Sequence, residues 1–278
     1  MTVNYLALVD KLPKMSPLTM QMLRVLTNPD CSVGELTDIA GKDAALSARI
    51  LRTANSASFA RLQTITSVRH AITIQGIGLL RKFVLGASLS NLFSRIKGSG
   101  LFSMLRFNLH SVATGTLLEI LTEEMPVENA HQAFIAGMLH DVGQLVFAVN
   151  CPKEYDQVLE LAAVTGESRV VCERKLLGID HAELSALAIR RWGLDEELAH
   201  AVSLHHEGEA QGESKRLRLS LAIKQADEFV NSLGISVLPP VSDSHAPHIF
   251  AFDDFPFSDE RVRSRFEEEW LKLSDMFK

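Results

Sequence analysis

"AFIAGMLHDVGQLVF", residues 133–147, is an almost wholly apolar run broken at its middle by His140 and Asp141. A buried carboxylate without a partner is strongly destabilising, so Asp141 requires a metal ion, an ion pair or a helix terminus to compensate it. The wider stretch from Asn129 keeps the same apolar character to Pro152, and reads as a single helix at the centre of a bundle that the proline stops. It lacks the ~20 uninterrupted apolar residues of a membrane span, because His140, Asp141 and Gln144 interrupt it. Outward from this run the apolar spacing is helical nearly everywhere, without alternating strands and hairpin turns, which predicts an all-α protein.

On the N-terminal side, "SPLTMQMLRVLTNP" (16–29) offers Ser16 as N-cap, Pro17 at the first helical position and Leu18, Met22 and Leu26 on one face. Two helices follow in 32–59, with Ser32 and Glu35 forming a capping box and Ala45, Ala48, Leu51 and Ala54 supplying a close-packing face. A short helix from Ser67, a break at Gly76 and Gly78 and a longer buried helix to Phe93 complete this section. The Gly98–Gly100 cluster in "IKGSGLF" is the internal boundary. The expected organisation is a helical N-terminal part over 2–97, a helical bundle over 98–235, and a C-terminal loop and helix over 236–278 packed on that bundle. Within the bundle, helices are expected to Met125, over 153–164, 168–177, 180–192, 195–206 and 214–233. The closing helix is anchored by Val262, Phe266 and Trp270, after a loop held by Phe250, Phe252, Phe255 and Phe257.

Composition restricts the function classes. A net charge of -6 argues against a nucleic-acid binder, which usually carries a basic face. Lys42, Arg49 and Arg52 would have to face DNA if 31–57 were a helix-turn-helix, but its small residues suit packing better. Three cysteines, Cys31, Cys151 and Cys172, without a C-x-x-C pair fit buried thiols in a reducing compartment. The N-terminus has no basic segment ahead of an apolar one, so a cytoplasmic location is expected.

Chemistry-bearing residues gather in the second half. His110 lies mid-helix, His140 and Asp141 form the doublet, His181 follows a candidate N-cap at Asp180, His205 and His206 are adjacent, and Asp227 lies in "KQADEFV". Imidazole nitrogens and carboxylate oxygens suit iron, manganese, zinc or nickel, and facing helices of a bundle can hold one or two such ions. A carboxylate among them can bridge two ions. Each residue also has a plainer reading: a hydrogen-bonded core histidine for His110, a charge near Lys224 for Asp227, a polar helix end for His205 and His206.

From "LPKMSPLTMQML" through "LSARILRTANSASF", "VRHAITIQGIGLLRKFVL" and "AFIAGMLHDVGQLVF" to "DHAELSALAIRRWGLDEELAHAVSLHHE" and "LAIKQADEFV", the chain resembles the HDOD family, the HD-related output domains of bacterial signalling proteins. The resemblance implies a helical N-terminal part on an HD-like bundle. It implies that His110, His140, Asp141 and Asp227 bind one divalent metal, and that His181, His205 and His206 are counterparts of the residues that bind a second in the HD-GYP phosphodiesterases. Where those enzymes place Gly-Lys after the doublet to hold a substrate phosphate, this chain has Gly143 and Gln144, and their GYP element is missing. The resemblance therefore supports a non-catalytic output module that binds a signalling protein or a nucleotide, with a homodimer among the candidate assemblies. The alternative is a metal-dependent phosphohydrolase acting on a nucleotide or other phosphoester, with Asp141 in its catalytic centre.

Overall fold

The computed structural model describes residues 32–55, 65–76, 100–207, 215–237 and 259–277, and the isolated positions 8, 10, 17, 20, 21 and 25. The helix expected at 16–29, the long one ending at Phe93, the phenylalanine loop at 250–257 and Cys31 lie outside these residues or largely so. Among the described residues every extended element is helical; an isolated bridge between Val127 and Leu217 is the one β-type pairing. The chain divides into two compact units, Met1–Pro13 with Arg95–Phe266, and Lys14–Ser94 with Glu267–Lys278.

In the second unit, α1 (Val33–Gly41), α2 (Ala44–Ala54) and α3 (Val68–Gln75) pack against one another. Ser32 caps α1 through the expected box, its hydroxyl accepting from Glu35 N at 3.2 Å while Glu35 Oε2 accepts from Ser32 N at 2.9 Å. On α2 the buried stripe passes through Ile50 and Ala54, and Ala48 is exposed. Small residues alone do not select a helix face; the larger apolar area of Ile50 does.

The first unit carries α4 (Met104–Glu124), a 3-10 turn (Ala130–Gln132), α5 (Ala133–Leu139), α6 (Val142–Asn150), α7 (Pro152–Thr165), α8 (Arg169–Leu177), α9 (His181–Arg191), α10 (Glu196–Ser203), α11 (Leu219–Ser232) and the first part of α12 (Asp259–Phe277). Val262 and Phe266 of α12 are buried as expected, and the Phe266 ring meets Phe229 edge-on at 5.6 Å. Ala130–Asn150 is apolar and long enough to span a bilayer, but 94% of its most apolar window is buried inside the protein. It forms the centre of the core.

Four boundaries differ from those expected, one of them the end of α10, which was expected at 206 and falls at Ser203. The single helix over 129–151 is two: α5 ends at Leu139, Asp141 adopts φ -101° and ψ 6°, and α6 begins at Val142. Such near-zero ψ is typical of turns and active-site residues rather than of helix interiors. Pro152 does not merely end a helix but occupies the first position of α7, where its missing N–H has no cost. The helix expected from 214 begins at Leu219, because Leu217 N donates to Pro126 O and Leu217 O accepts from Glu128 N, both at 2.8 Å.

Close backbone contacts set the helix positions around the break. A Cβ on Gly137 would lie 2.4 Å from Gly115 Cα, so α4 and α5 cross with their backbones touching. A Cβ on Gly143 would lie 2.1 Å from His181 O, so the start of α6 abuts the start of α9. Gly143 N also donates to Ser185 Oγ at 2.8 Å, and Ser185 Oγ donates to His181 O at 2.7 Å. Glycine in a helix costs about 1 kcal/mol against alanine, and here it permits an approach that no side chain allows.

Candidate metal centre

The two glycine contacts converge on the helix break. Crossing at Gly115 and Gly137 brings His110 of α4 to His140 at the end of α5, and the contact at Gly143 brings Asp141 to His181 at the first position of α9. Asp180 caps α9 as expected, accepting from Glu183 N at 2.9 Å. His205 and His206 lie just beyond α10, and Arg174 ties that segment to α9 by donating to both Asp180 Oδ2 and Glu207 Oε1. Asp227 projects from α11, with Asn231 Nδ2 donating to its Oδ1 at 2.8 Å. All seven residues come together as two groups that share Asp141: His110, His140, Asp141 and Asp227, and Asp141, His181, His205 and His206. Within each group one ligand atom per residue lies within 4.8 Å of all the others.

The tautomers follow from the second ring nitrogens. His110 Nδ1 lies 2.7 Å from Ile235 O, His140 Nδ1 2.8 Å from Gly137 O, and His205 Nδ1 2.7 Å from Val202 O. A carbonyl oxygen only accepts, so each Nδ1 carries a proton and each neutral ring turns the Nε2 lone pair inward. His181 Nδ1 is held in the same way by Glu173 Oε2 at 2.6 Å, the carboxylate–histidine arrangement that orients metal ligands. The inward nitrogens then face one another: His110 and His140 Nε2 are 3.3 Å apart, and His181 and His206 Nε2 are 2.6 Å apart. His205 Nε2 is buried without a hydrogen-bond partner.

Asp141 stands between the groups. Its Oδ2 lies 3.6 Å from both His110 and His140 Nε2, while its Oδ1 lies 3.2 Å from His181 Nε2 and 3.8 Å from His205 Nε2. Asp227 Oδ1 is 3.0 Å from His110 Nε2 and 3.6 Å from His140 Nε2. Although Asp141 occupies the N-cap position of α6, its side chain makes no capping bond. Of the three compensations open to this carboxylate, the helix terminus is therefore not the one its oxygens use; they face imidazoles.

Lone pairs that converge need a positive centre between them, which a proton or a metal cation provides. Burial opposes charge throughout the cluster, yet the imidazoles outweigh it and hold Asp141 and Asp227 well below the usual carboxylate range. At His181 burial is likewise overcome by the Glu173 and Asp141 carboxylates, which push its pKa up to about 10. Burial, reinforced by charge on His140 and His181, lowers His205 to about 4, and burial with neighbouring imidazoles also lowers His206. The donor set fits a divalent cation. Metal–nitrogen bonds of ~2.1 Å place ligand atoms on one ion about 3 Å apart, comparable to the separations in each group. A surface groove of about 670 Å³ lined by Glu128, Glu196, Glu197, Arg216 and Arg218 includes none of the seven.

A family model for the HDOD domain matches residues 12–208, well over half of the chain. The chain belongs to the HDOD family. An HDOD domain protein of unknown function from Geobacter sulfurreducens has 22% identity and a TM-score of 0.77, covering 98% of this chain and 94% of that one. A protein named as a candidate for signal transduction from Marinobacter aquaeolei VT8 has 20% identity and a TM-score of 0.74, covering 100% of this chain and 60% of that one. These structures share the all-α HDOD fold. An uncharacterized protein of Treponema pallidum is 22% identical over 209 residues, which are 71% of this chain and 38% of the relative, so the HDOD chain spans well under half of that relative.

Several residues that shape the HDOD site gave no chemical signal in the sequence. Glu173 is fully buried, accepts from both His181 N and His181 Nδ1, and sits in a stretch that reads as an ordinary charged helix, "RVVCERKLL". Gly115 and Gly137 were legible only as glycines tolerated within apolar helices, the one hint of a close crossing.

Proposed function

We propose that this HDOD protein is a signal-transduction output module whose first unit holds one or two divalent cations and transmits by binding rather than by turnover. The observation that carries the metal reading is the convergence of five imidazole Nε2 atoms and two carboxylates, with the outer Nδ1 of His110, His140, His181 and His205 held by acceptors. His110, His140, Asp141 and Asp227 would hold one ion, and Asp141, His181, His205 and His206 a second. Imidazole and carboxylate donors suit iron, manganese, zinc or nickel. The binding role is supported by family membership, by the signal-transduction description of one structural relative, and by Gln144 in place of a phosphate-holding lysine. Burial adds to this: His110, His140, Asp141, His181 and His205 are each at most 2% exposed, which leaves a substrate little direct access to the ions. The partner on this reading is a signalling protein or a nucleotide.

One observation favours a second reading, metal-dependent phosphoester hydrolysis: the two oxygens of Asp141 face different groups, the disposition of a carboxylate between two ions. Two bound cations would supply a nucleophilic water near neutral pH and charge stabilisation for a phosphoryl group. Metal analysis of protein purified without chelator, followed by turnover assays on nucleotides and cyclic dinucleotides, separates the readings. Stoichiometric metal without turnover is the expected result. Turnover lost in folded His140→Ala and Asp141→Ala variants would establish the hydrolase instead, and protein that takes up no metal would overturn both.

A further inference from the structure

Arg169 opens α8 and reaches back to α6, where its Nη1 donates to Gln144 Oε1 at 2.7 Å. The Tyr155 hydroxyl donates to the same oxygen at 3.3 Å, so the amide is a fixed support. Among the described residues this is the one hydrogen bond of the Arg169 side chain, and it forms no ion pair. The Asp141, Glu173 and Asp227 charges act on it from a distance, but none of them is within ion-pair reach. Glu173, one turn along α8, holds His181, and Asp141, one turn before Gln144, faces the imidazoles. A part-buried guanidinium held by a neutral amide departs from the usual pairing of buried charge. Its planar fork of N–H donors matches a phosphate, and among the described residues its other N–H groups have no hydrogen-bond acceptor.

Position gives this guanidinium its chemical sense. Gln144 N donates to Asp141 O at 2.9 Å, and Arg169 and Glu173 are spaced i, i+4 on α8, so both anchors of Arg169 lie one helical turn from groups of the His/Asp centre. We propose that Arg169, presented by Gln144, is an anion-binding arm at the edge of this centre and takes the phosphate of a small molecule. The inference rests on the cation reading above: cations held in the centre would favour an anion nearby, and the guanidinium would fix it at the edge. The same chemistry serves free phosphate or a nucleotide.

The test is calorimetric titration of inorganic phosphate, and separately of 5′-AMP, into the full chain with and without added Mn²⁺, with bound manganese measured in the same samples. Phosphate binding is expected to weaken about ten- to a hundred-fold in Arg169→Ala and to recover in part in Arg169→Lys, at unchanged manganese content. Where Arg169→Ala melts early, Arg169→Gln removes the charge while retaining a partner for Gln144. Tighter binding of AMP than of phosphate identifies a nucleotide as the ligand, and equal binding identifies the free anion. Wild type that binds neither, or a folded charge-removing variant that binds both as well as wild type, overturns the arm. Protein that takes up no manganese overturns the cation reading instead, and Arg169-dependent phosphate binding without metal leaves the arm standing.

Discussion

At the scale of single residues, the centre is a matter of which nitrogen carries the proton. Four rings are fixed with Nδ1 outward by three carbonyls and one carboxylate, and the carboxylate, Glu173, differs from the rest in bringing charge. Its Oε1 has no hydrogen-bond partner, so its hydrogen-bonded compensation comes through His181. Glu173→Gln keeps the shape and removes the charge. The expected result is a metal affinity lowered about ten- to a hundred-fold at the His181 side, read by competition against a chelator, with the helical circular dichroism unchanged. Equal affinity in the two proteins would reduce Glu173 to a packing residue. The seven ligand-type residues were legible in the sequence because each sits in or beside an apolar helical segment, and the resemblance to HDOD proteins ordered them into two groups. Glu173 and Arg169 were not legible, since charged residues near a helix start look like solvated surface until neighbouring helices cover them.

At the scale of elements, the break between α5 and α6 turns an apolar run into a site. A continuous helix would carry His140 and Asp141 round by about 100° per residue; the near-zero ψ of Asp141 instead directs its two oxygens to different imidazole groups. What holds the broken ends is the contact of Gly143 with His181. Gly143→Ala should destabilise the protein by about 2–3 kcal/mol in urea denaturation, despite the better helix propensity of alanine. Gly41→Ala, where an added Cβ meets nothing within 4 Å, should leave stability unchanged or raise it by up to about 1 kcal/mol, and serves as the control of opposite sign. Helix identities were readable from periodicity, and the caps Ser32 and Asp180 from residue type and spacing. The break was not, because every residue around His140 and Asp141 favours burial and nothing local stops the helix.

At the scale of the whole molecule, five separate elements, α4, the α5–α6 junction, α9, the segment after α10, and α11, each contribute to one centre. A cation bound there joins residues from His110 to Asp227 and binds only the folded chain, so it stabilises by mass action. Removal of metal by a chelator should lower the calorimetric melting temperature by about 5–10 °C for an ion present at a hundred times its Kd, and added Mn²⁺ or Zn²⁺ should restore it. A melting curve indifferent to chelator would count against the cation. By itself the sequence determined the all-α class, the family and the identity of the ligand-type residues, because apolar periodicity and residue type are local properties. Only the tertiary structure decided that Asp141 faces two groups, that Glu173 and Arg169 belong beside them, and that glycines at 115, 137 and 143 let the helices close on the site. Those features depend on how helices distant in the chain approach one another, and no single stretch of sequence encodes that approach.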